Sequence, residues 1–326
     1  MLEHGGRLRA AAKQYGIALE QWLDLSTGIN PKGWPVPVLP PDLWSALPEE
    51  QDGLEAAARA YYGTAPLLPV AGSQAAIQAL PFLREPCRVA VSSPGYAEHA
   101  HAWQKRGHQV TPVLLEGLSA TVASSDVLVV IQPNNPTGDV ILIAQLLSWY
   151  AELAARGGWL VADEAFMDAA PEQSLLPYSP RPGLIVLRSL GKFFGLAGLR
   201  VGFVSATEDV LSGLRDQLGP WPIATTSRWI AREALCDRHW QARTRAALAG
   251  HAARLGALLC EYGLAPSGGT ALFQWICTEQ ARSAHEQLAG QGILTRLFEA
   301  PASLRFGLPG TEPEWQRLQA ALDAMR

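Results

Sequence analysis

Residues 189–200 have the sequence SLGKFFGLAGLR, which places a single lysine, Lys192, among apolar residues and glycines. Ser189 lies three positions before the lysine, and Arg200 lies eight positions after it. An apolar environment disfavours the charged ammonium form, so the neutral amine is available to form an imine with an aldehyde. A hydroxyl and a guanidinium are donors suited to a phosphate. The stretch predicts a site for a phosphate-bearing aldehyde cofactor; taken alone, it also fits a glycine-rich turn with a solvated lysine.

Two short apolar runs end in polar residues suited to the same cofactor. The run 127–131 is rich in β-branched residues and predicts a buried parallel strand, and it leads into Asn135. A second predicted strand at 159–162 ends at Asp163. An asparagine can donate a hydrogen bond to an oxygen on the heterocyclic ring of a cofactor. A carboxylate can pair with the protonated nitrogen of that ring, so that the ring accepts electrons.

Upstream residues supply a phosphate turn and an aromatic ring. Gly72-Ser73-Gln74 predicts a turn that opens a helix, where free backbone N–H groups and the helix dipole favour an anion. Tyr96 follows a predicted strand at 88–91 and offers a ring for stacking. Each motif has an ordinary structural explanation as a turn, a strand end or a cap. Their order, each after a strand, predicts that they converge at one edge of a sheet.

Taken together, these motifs resemble those of the fold-type I pyridoxal-phosphate enzymes of the aspartate aminotransferase superfamily. The resemblance implies an α/β fold: a large domain with a three-layer, mostly parallel sheet, and a smaller α+β C-terminal domain. It implies pyridoxal 5'-phosphate as the cofactor and Lys192, Asp163 and Tyr96 as the catalytic residues. The implied cofactor-binding residues are Gly72, Ser73, Gln74, Tyr96, Asn135, Asp163, Ser189, Lys192 and Arg200. Phe166 stands where many relatives carry a tyrosine, so one donor to the ring hydroxyl is absent.

The amino-terminal segment is similar to that of the threonine-phosphate decarboxylases of cobalamin biosynthesis, which are related to the histidinol-phosphate aminotransferases. This second resemblance implies decarboxylation of L-threonine O-3-phosphate to (R)-1-amino-2-propanol O-2-phosphate, with a histidinol-phosphate-type aminotransferase as the alternative. The implied substrate-binding residues are His4, Gly5, Gly28, Asn135, Arg296 and Arg305. Some members have an asparagine where Gly28 stands, so only the backbone could serve there.

Composition indicates a globular enzyme of ordinary charge. The 326 residues are 48% hydrophobic and 17% charged, with a net charge of −4, which argues against nucleic-acid binding. A regulator of this fold would also need a DNA-binding module, and none is indicated. No apolar run is long enough to span a membrane, and the start lacks the pattern of a secretory signal. Four scattered cysteines suit a reducing cytoplasm, and neither they nor the histidines, including His99 and His101, form a metal-binding pattern.

The predicted domain organisation has three parts. Residues 1–48 form an N-terminal helix and arm that pack with the small domain, 49–225 form the large cofactor-binding domain, and 226–326 form the small domain. Residues 226–262 predict one long helix, with a possible interruption. The resemblance further implies a homodimer, and we predict that 15–25 or 54–62 reaches the neighbouring subunit.

Overall fold

The computed structural model describes residues 4–63 and 66–325. These residues form two compact units, of which the larger contains Trp34–Asn135 and Val140–Ala242. The smaller unit contains Pro136–Asp139, Arg243–Arg326 and Met1–Gly33, as far as they are described. The three segments predicted from the sequence, 1–48, 49–225 and 226–326, remain a prediction about domain organisation.

Helices and strands alternate along the larger unit, whereas the smaller unit combines short strands with terminal helices. In the described residues the α-helices are α1 Leu8–Tyr15, α2 Leu54–Tyr62, α3 Ser73–Ala79, α4 Glu98–Lys105, α5 Leu118–Thr121, α6 Ile143–Ala154, α7 Glu208–Leu218, α8 Thr225–Cys236, α9 Arg238–Glu261, α10 Ala281–Gly290 and α11 Glu312–Asp323. The strands there are β1 Leu23–Asp24, β2 Leu68–Val70, β3 Arg88–Ser93, β4 Gln109–Leu114, β5 Val127–Ile131, β6 Trp159–Asp163, β7 Leu184–Ser189, β8 Gly202–Ser205, β9 Gly268–Thr270, β10 Phe273–Cys277, β11 Ile293–Leu294, β12 Arg296–Glu299 and β13 Ala302–Gly307. No helix among the described residues is long and apolar enough to cross a lipid bilayer.

The larger unit is built on a seven-stranded sheet with the order β2-β8-β7-β6-β5-β3-β4. Strands β3 to β7 are mutually parallel, and β8 is antiparallel to both β7 and β2. The central strands are buried along their whole length, which explains their nearly continuous apolar sequence. Their side chains form a core with α3 and α7. The mostly parallel sheet predicted from the sequence is confirmed.

The smaller unit contains a four-stranded antiparallel sheet with the order β12-β13-β10-β9. Strands β1 and β11 form a separate parallel pair, so the amino-terminal segment joins the carboxy-terminal one within this unit. Helix α11 begins at a capping box, in which Thr311 accepts from the backbone N–H of Glu314 and the Glu314 carboxylate accepts from the backbone N–H of Thr311.

Two stretches of the chain are each divided between two elements. The possible interruption in the predicted helix over 226–262 is present, and the stretch forms α8 and α9, because Asp237 turns the chain and its carboxylate accepts the Trp240 backbone N–H at 2.9 Å. Residues 293–297 belong to two strands that meet at Thr295, where β11 ends its pairing with β1 and β12 begins to pair with β13. Local periodicity does not reveal such changes of partner.

Candidate active site

A cavity of about 130 Å³ opens in the larger unit beside the carboxyl ends of β5, β6 and β7. Asp163 is the last residue of β6 and Ser189 the last residue of β7, so the parallel arrangement brings them to one edge of the sheet. The cavity is lined by Ser73, Gln74, Tyr96, Ile131, Asn135, Asp163, Ala165, Phe166, Ser189, Gly191, Lys192, Ala197 and Arg200. The fold therefore gathers eight of the nine predicted cofactor-binding residues around one space, and the ninth, Gly72, adjoins Arg200.

The predicted phosphate turn is shaped around Arg200. Gly72 has φ 73° and ψ 157°, a backbone conformation essentially restricted to glycine. A Cβ atom at this position would lie 2.6 Å from Nη2 of Arg200, so a side chain would occupy the space beside the guanidinium. Ser73 and Gln74 begin α3, where backbone N–H groups have no partner within the helix. Ser189 is buried, and its hydroxyl oxygen accepts the Gly191 N–H at 3.2 Å.

Asp163 is held by donors on two sides. One carboxylate oxygen accepts the Ala165 backbone N–H at 3.0 Å, and the other lies 2.8 Å from Nε2 of His99. Both side chains are almost fully buried, with 4% of Asp163 and 1% of His99 exposed. An ionised carboxylate only accepts hydrogen bonds, so Nε2 carries the proton and donates. This pair fixes the direction of the carboxylate that the sequence predicts as partner of the ring nitrogen.

His99 is a site residue that the sequence interpretation missed. The sequence analysis assigns it no role in the site, but in the structure its buried side chain contacts the predicted catalytic aspartate. The available signal was its spacing: His99 is three residues after Tyr96, which places both on one side of a helical turn. Their rings meet edge to face with centroids 6.2 Å apart. The partnership with Asp163 depends on strand order, which the spacing does not contain.

The hydroxyl of Tyr96 donates to Oε1 of Gln74 at 3.0 Å, and Nε2 of Gln74 donates to Glu98 at 2.9 Å. Burial raises the pKa of Tyr96 to about 12, and the charges of Glu98 and Asp163 add to this effect. Tyr96 therefore stays protonated at any physiological pH. The Gln74 side chain is engaged in this chain of hydrogen bonds, which leaves its backbone N–H as the group suited to a phosphate.

Lys192 lies on a loop that packs against aromatic side chains. Its Nζ lies 5.3 Å from the centroid of the Phe166 ring, so the residue that replaces tyrosine in this chain forms part of the lysine's environment. Phe193 and Phe194 are fully buried and both contact the ring of Trp240, with centroids 5.4 and 5.6 Å away. Such packing restricts the loop and thereby the position of the amine.

A buried ion cluster lies next to the cofactor residues in the sequence. Arg188 precedes Ser189, Glu164 follows Asp163, and the Arg188 guanidinium binds the carboxylates of both Glu164, at 2.8 Å, and Asp168. Glu164 also accepts from the backbone N–H of Leu175. Desolvation raises the pKa of Glu164 despite these partners. The ion pair between Arg188 and Glu164 joins the carboxyl ends of β7 and β6.

The smaller unit has its own cavity of about 300 Å³, whose lining includes His4, Gly5, Ser26, His285, the arginines Arg7, Arg282 and Arg296, and the glutamates Glu286 and Glu299. Three arginines against two glutamates leave this lining with one net positive charge when its histidines are neutral. Gly5 packs so closely that a Cβ there would lie 2.3 Å from the Ser26 carbonyl oxygen. The Ser26 hydroxyl accepts the Gly6 N–H at 2.7 Å, which holds the amino-terminal segment in place. Three of the predicted substrate-binding residues, His4, Gly5 and Arg296, therefore share one cationic cavity.

The other predicted substrate-binding residues lie elsewhere. Arg305 is buried, stacks 5.2 Å from the Phe273 ring centroid and donates to the Ser26 carbonyl at 2.8 Å. Desolvation lowers its pKa to about 10, assisted by the charge of Arg296. Gly28 is buried in the same unit, while Asn135 lines the cofactor cavity of the larger unit. Arg305 and Gly28 are not among the residues lining the cationic cavity.

The larger unit's cavity fits pyridoxal phosphate by the chemistry of its lining. Serine hydroxyls and Arg200 suit the phosphate, the glycine at position 72 keeps the space beside Arg200 open, and a buried carboxylate suits a protonated ring nitrogen. Phe166 and Ile131 offer apolar surface for the ring. With the mostly parallel sheet and the lysine loop, this arrangement is that of a fold-type I pyridoxal-phosphate enzyme.

Comparison with known proteins agrees with this class. Residues 46–322 match the family of class I and II aminotransferases, and the chain belongs to this family. It is 54% identical to a threonine-phosphate decarboxylase from Pseudomonas aeruginosa over 99% of this chain and 97% of the relative. It is 42% identical to a threonine-phosphate decarboxylase from Sinorhizobium sp. over 99% of this chain and 98% of the relative.

A solved structure shows the same fold. The histidinol-phosphate aminotransferase from Sinorhizobium meliloti, in complex with pyridoxal-5'-phosphate, superposes with a TM-score of 0.84 at 21% identity and covers 100% of this chain and 99% of its own. The sequence-based predictions of family, fold class and cofactor are confirmed. The roles of the individual site residues stay predictions.

Proposed function

We propose that this chain catalyses the pyridoxal-phosphate-dependent decarboxylation of L-threonine O-3-phosphate to (R)-1-amino-2-propanol O-2-phosphate, a step of cobalamin biosynthesis. The observation that carries the proposal is the 54% identity, over nearly the whole chain, to a threonine-phosphate decarboxylase. The separate cationic cavity around His4 and Arg296 supports it, because a phosphorylated substrate requires a second anion-binding site beyond that of the cofactor.

In this proposal the residues of the larger unit hold and tune the cofactor. Bound pyridoxal phosphate supplies a protonated ring that accepts the electron pair released at the substrate's α-carbon. Asp163, oriented by His99, keeps the ring nitrogen protonated, and Asn135 donates to the ring oxygen. Tyr96 supplies the stacking surface. Lys192 would hold the cofactor through its aldehyde group, and its amine would be the proton donor to the substrate's α-carbon.

The phosphate of the cofactor is assigned to residues at the edge of the sheet. Ser73, Ser189 and Arg200 supply side-chain donors, and the conformation of Gly72 lets the backbone approach closely. A permanently charged guanidinium can bind two phosphate oxygens at once, which fixes orientation as well as affinity.

In this proposal the substrate-binding residues select which bond is broken. A decarboxylase must present the substrate's carboxylate, rather than its C–H bond, to the electron-accepting cofactor, so the groups that orient the substrate would select the reaction. His4, Gly5 and Arg296 would bind the substrate phosphate, Arg305 the carboxylate, and Gly28 would contribute only its backbone. Binding at these two ends restricts rotation about the bond between nitrogen and the α-carbon. The phosphate does not react, and its binding energy holds the reacting carbon in place.

The decisive experiment supplies purified holoenzyme with L-threonine phosphate and measures released carbon dioxide and the amino-propanol phosphate formed. We expect stoichiometric formation of both, without any added keto acid. Turnover of histidinol phosphate that depends on 2-oxoglutarate, with no carbon dioxide from threonine phosphate, would instead establish the aminotransferase alternative. The Lys192→Ala variant serves as the inactive control.

We further propose that the protein is a cytoplasmic homodimer. Large apolar side chains are exposed on the segment 34–48 and on a nearby loop, among them Trp44, Leu47 and Trp221, with 71%, 64% and 58% exposed. The Thr225 hydroxyl, which follows that loop, donates to the Ala46 carbonyl, so both segments belong to one surface. Apolar patches of this kind are typical of protein interfaces. Sedimentation of a fully active monomer would disprove the dimer.

A further inference from the structure

Helix α3, the first residue of α4 and Tyr96 just before it share a series of hydrogen bonds beside the cofactor cavity. The Tyr96 hydroxyl contacts Oε1 of Gln74 at 3.0 Å, and Nε2 of Gln74 contacts Oε2 of Glu98 at 2.9 Å. Nε2 of Gln78, one turn further along α3, contacts the same oxygen of Glu98 at 3.1 Å. Glu98 therefore receives two amide donors on one oxygen.

The Glu98 carboxylate sets the donor and acceptor roles in this series of hydrogen bonds. A carboxylate only accepts hydrogen bonds, whereas a glutamine amide has one donor end and one acceptor end. Glu98 therefore requires the NH₂ group of Gln74 to face it, and the Gln74 oxygen must then face Tyr96. With its partner fixed as an acceptor, the Tyr96 hydroxyl is fixed as a donor.

Gln74 and Tyr96 line the cofactor cavity, and Glu98 is not among the lining residues. Glu98 is therefore linked to the cavity through its hydrogen bond to the Gln74 side chain, which in turn contacts Tyr96. The ring of Tyr96 packs against the core of the larger unit at one end, and its hydroxyl is anchored at the other. A ring held at both ends has fewer accessible orientations than one held only by packing.

We propose that Glu98 is a positioning residue: its carboxylate orients the Gln74 amide so that Tyr96 is locked as the surface on which the cofactor ring stacks. This inference rests on the proposed function, in which Tyr96 takes the stacking role. It also gives Gln74 a side-chain task, the anchoring of Tyr96, beyond the phosphate contact expected from the sequence.

The test uses apoprotein reconstituted with pyridoxal phosphate alone. Its readouts are the dissociation constant of the cofactor and the visible circular dichroism of the bound form, which reports how rigidly an asymmetric environment holds the ring. Glu98→Ala is expected to weaken cofactor binding about five- to tenfold, the effect of one hydrogen bond, and to reduce the visible dichroism. Gln78→Ala is the matched control, because it removes the other donor to Glu98 without touching Tyr96, and it should behave as wild type.

A double-mutant cycle identifies the route of the effect. Tyr96→Phe keeps the ring but removes the hydroxyl, so Glu98→Ala in that background should cause no further loss. An equal loss in both backgrounds, or wild-type binding and dichroism in Glu98→Ala, would overturn the proposal. If Glu98→Ala fails to fold by far-ultraviolet dichroism, Glu98→Gln takes its place, with the same criteria and a smaller expected loss.

The outcome separates this inference from the proposed function. Cofactor binding without decarboxylation of threonine phosphate would refute the substrate assignment and leave the cycle interpretable. A wild-type protein that does not bind pyridoxal phosphate would refute both.

Discussion

Replacing Gly72 with alanine tests whether the space beside Arg200 is the cradle for the cofactor's phosphate. The backbone at this position has φ 73° and ψ 157°, and an added Cβ would lie 2.6 Å from Nη2 of Arg200. The conformation is nearly exclusive to glycine, so the apoprotein should lose about 1–3 kcal/mol of unfolding free energy. The contact itself falls on the end of a flexible side chain, which can move away at small cost.

The displacement of the Arg200 guanidinium should weaken cofactor binding. A displaced guanidinium loses a charge-assisted hydrogen bond to the phosphate, an interaction of about 1.5–3 kcal/mol. At about 1.4 kcal/mol for each factor of ten, the dissociation constant of pyridoxal phosphate should rise about ten- to a hundredfold. The constant is measured by titrating dialysed apoprotein with cofactor and recording the visible absorbance, and calorimetric unfolding of the apoprotein gives the stability.

The matched control is Gly198→Ala in the neighbouring loop, where an added Cβ meets nothing within 4 Å and the backbone is not left-handed. Its cofactor affinity should equal that of wild type. If Gly72→Ala loses stability as expected but binds the cofactor normally, Arg200 is not a phosphate ligand and the assignment of this edge of the sheet is wrong.

Three further substitutions test other parts of the site. Lys192→Ala should abolish both decarboxylation and the visible band of the covalently held cofactor, and a band that persists after reduction and denaturation would contradict its role. His99→Phe should lower kcat at least tenfold and destabilise the apoprotein by about 1–3 kcal/mol, because one oxygen of Asp163 loses its buried donor; unchanged pH-rate and cofactor-absorbance profiles would show a purely structural role. Glu164 has a pKa raised above its ordinary 4.5 by burial, so its ionisation costs stability as the pH rises from below 4.5 through the raised value. The unfolding free energy of wild type should therefore fall relative to that of Glu164→Gln across that pH interval. Parallel curves of unfolding free energy against pH, measured by calorimetry, would refute a raised pKa of Glu164.

Much of the site follows from local sequence. The strands 127–131 and 159–162 are visible in the sequence as apolar runs, and the loop carrying Lys192 is visible as a glycine-rich segment. Polar residues directly after parallel strands share one sheet edge whatever the details of packing, so Asn135, Asp163 and Ser189 could be grouped in advance. The sequence did not decide whether the helix over 226–262 is interrupted at Asp237, because an aspartate can lie within a helix or cap the start of a new one.

What the chain determined on its own was the chemistry: an amine, a carboxylate, an amide and a guanidinium delivered by consecutive strands and loops, in an order that specifies a phosphorylated aldehyde cofactor. What only the tertiary structure decided was which side chains serve those groups. His99 beside Asp163, Glu98 beside Gln74, and Arg200 beside Gly72 are each pairs that local pattern leaves unspecified. Hydrophobic periodicity and turn preference act over a few residues, whereas these pairings depend on strand order and helix packing, which the whole chain sets together when its core closes.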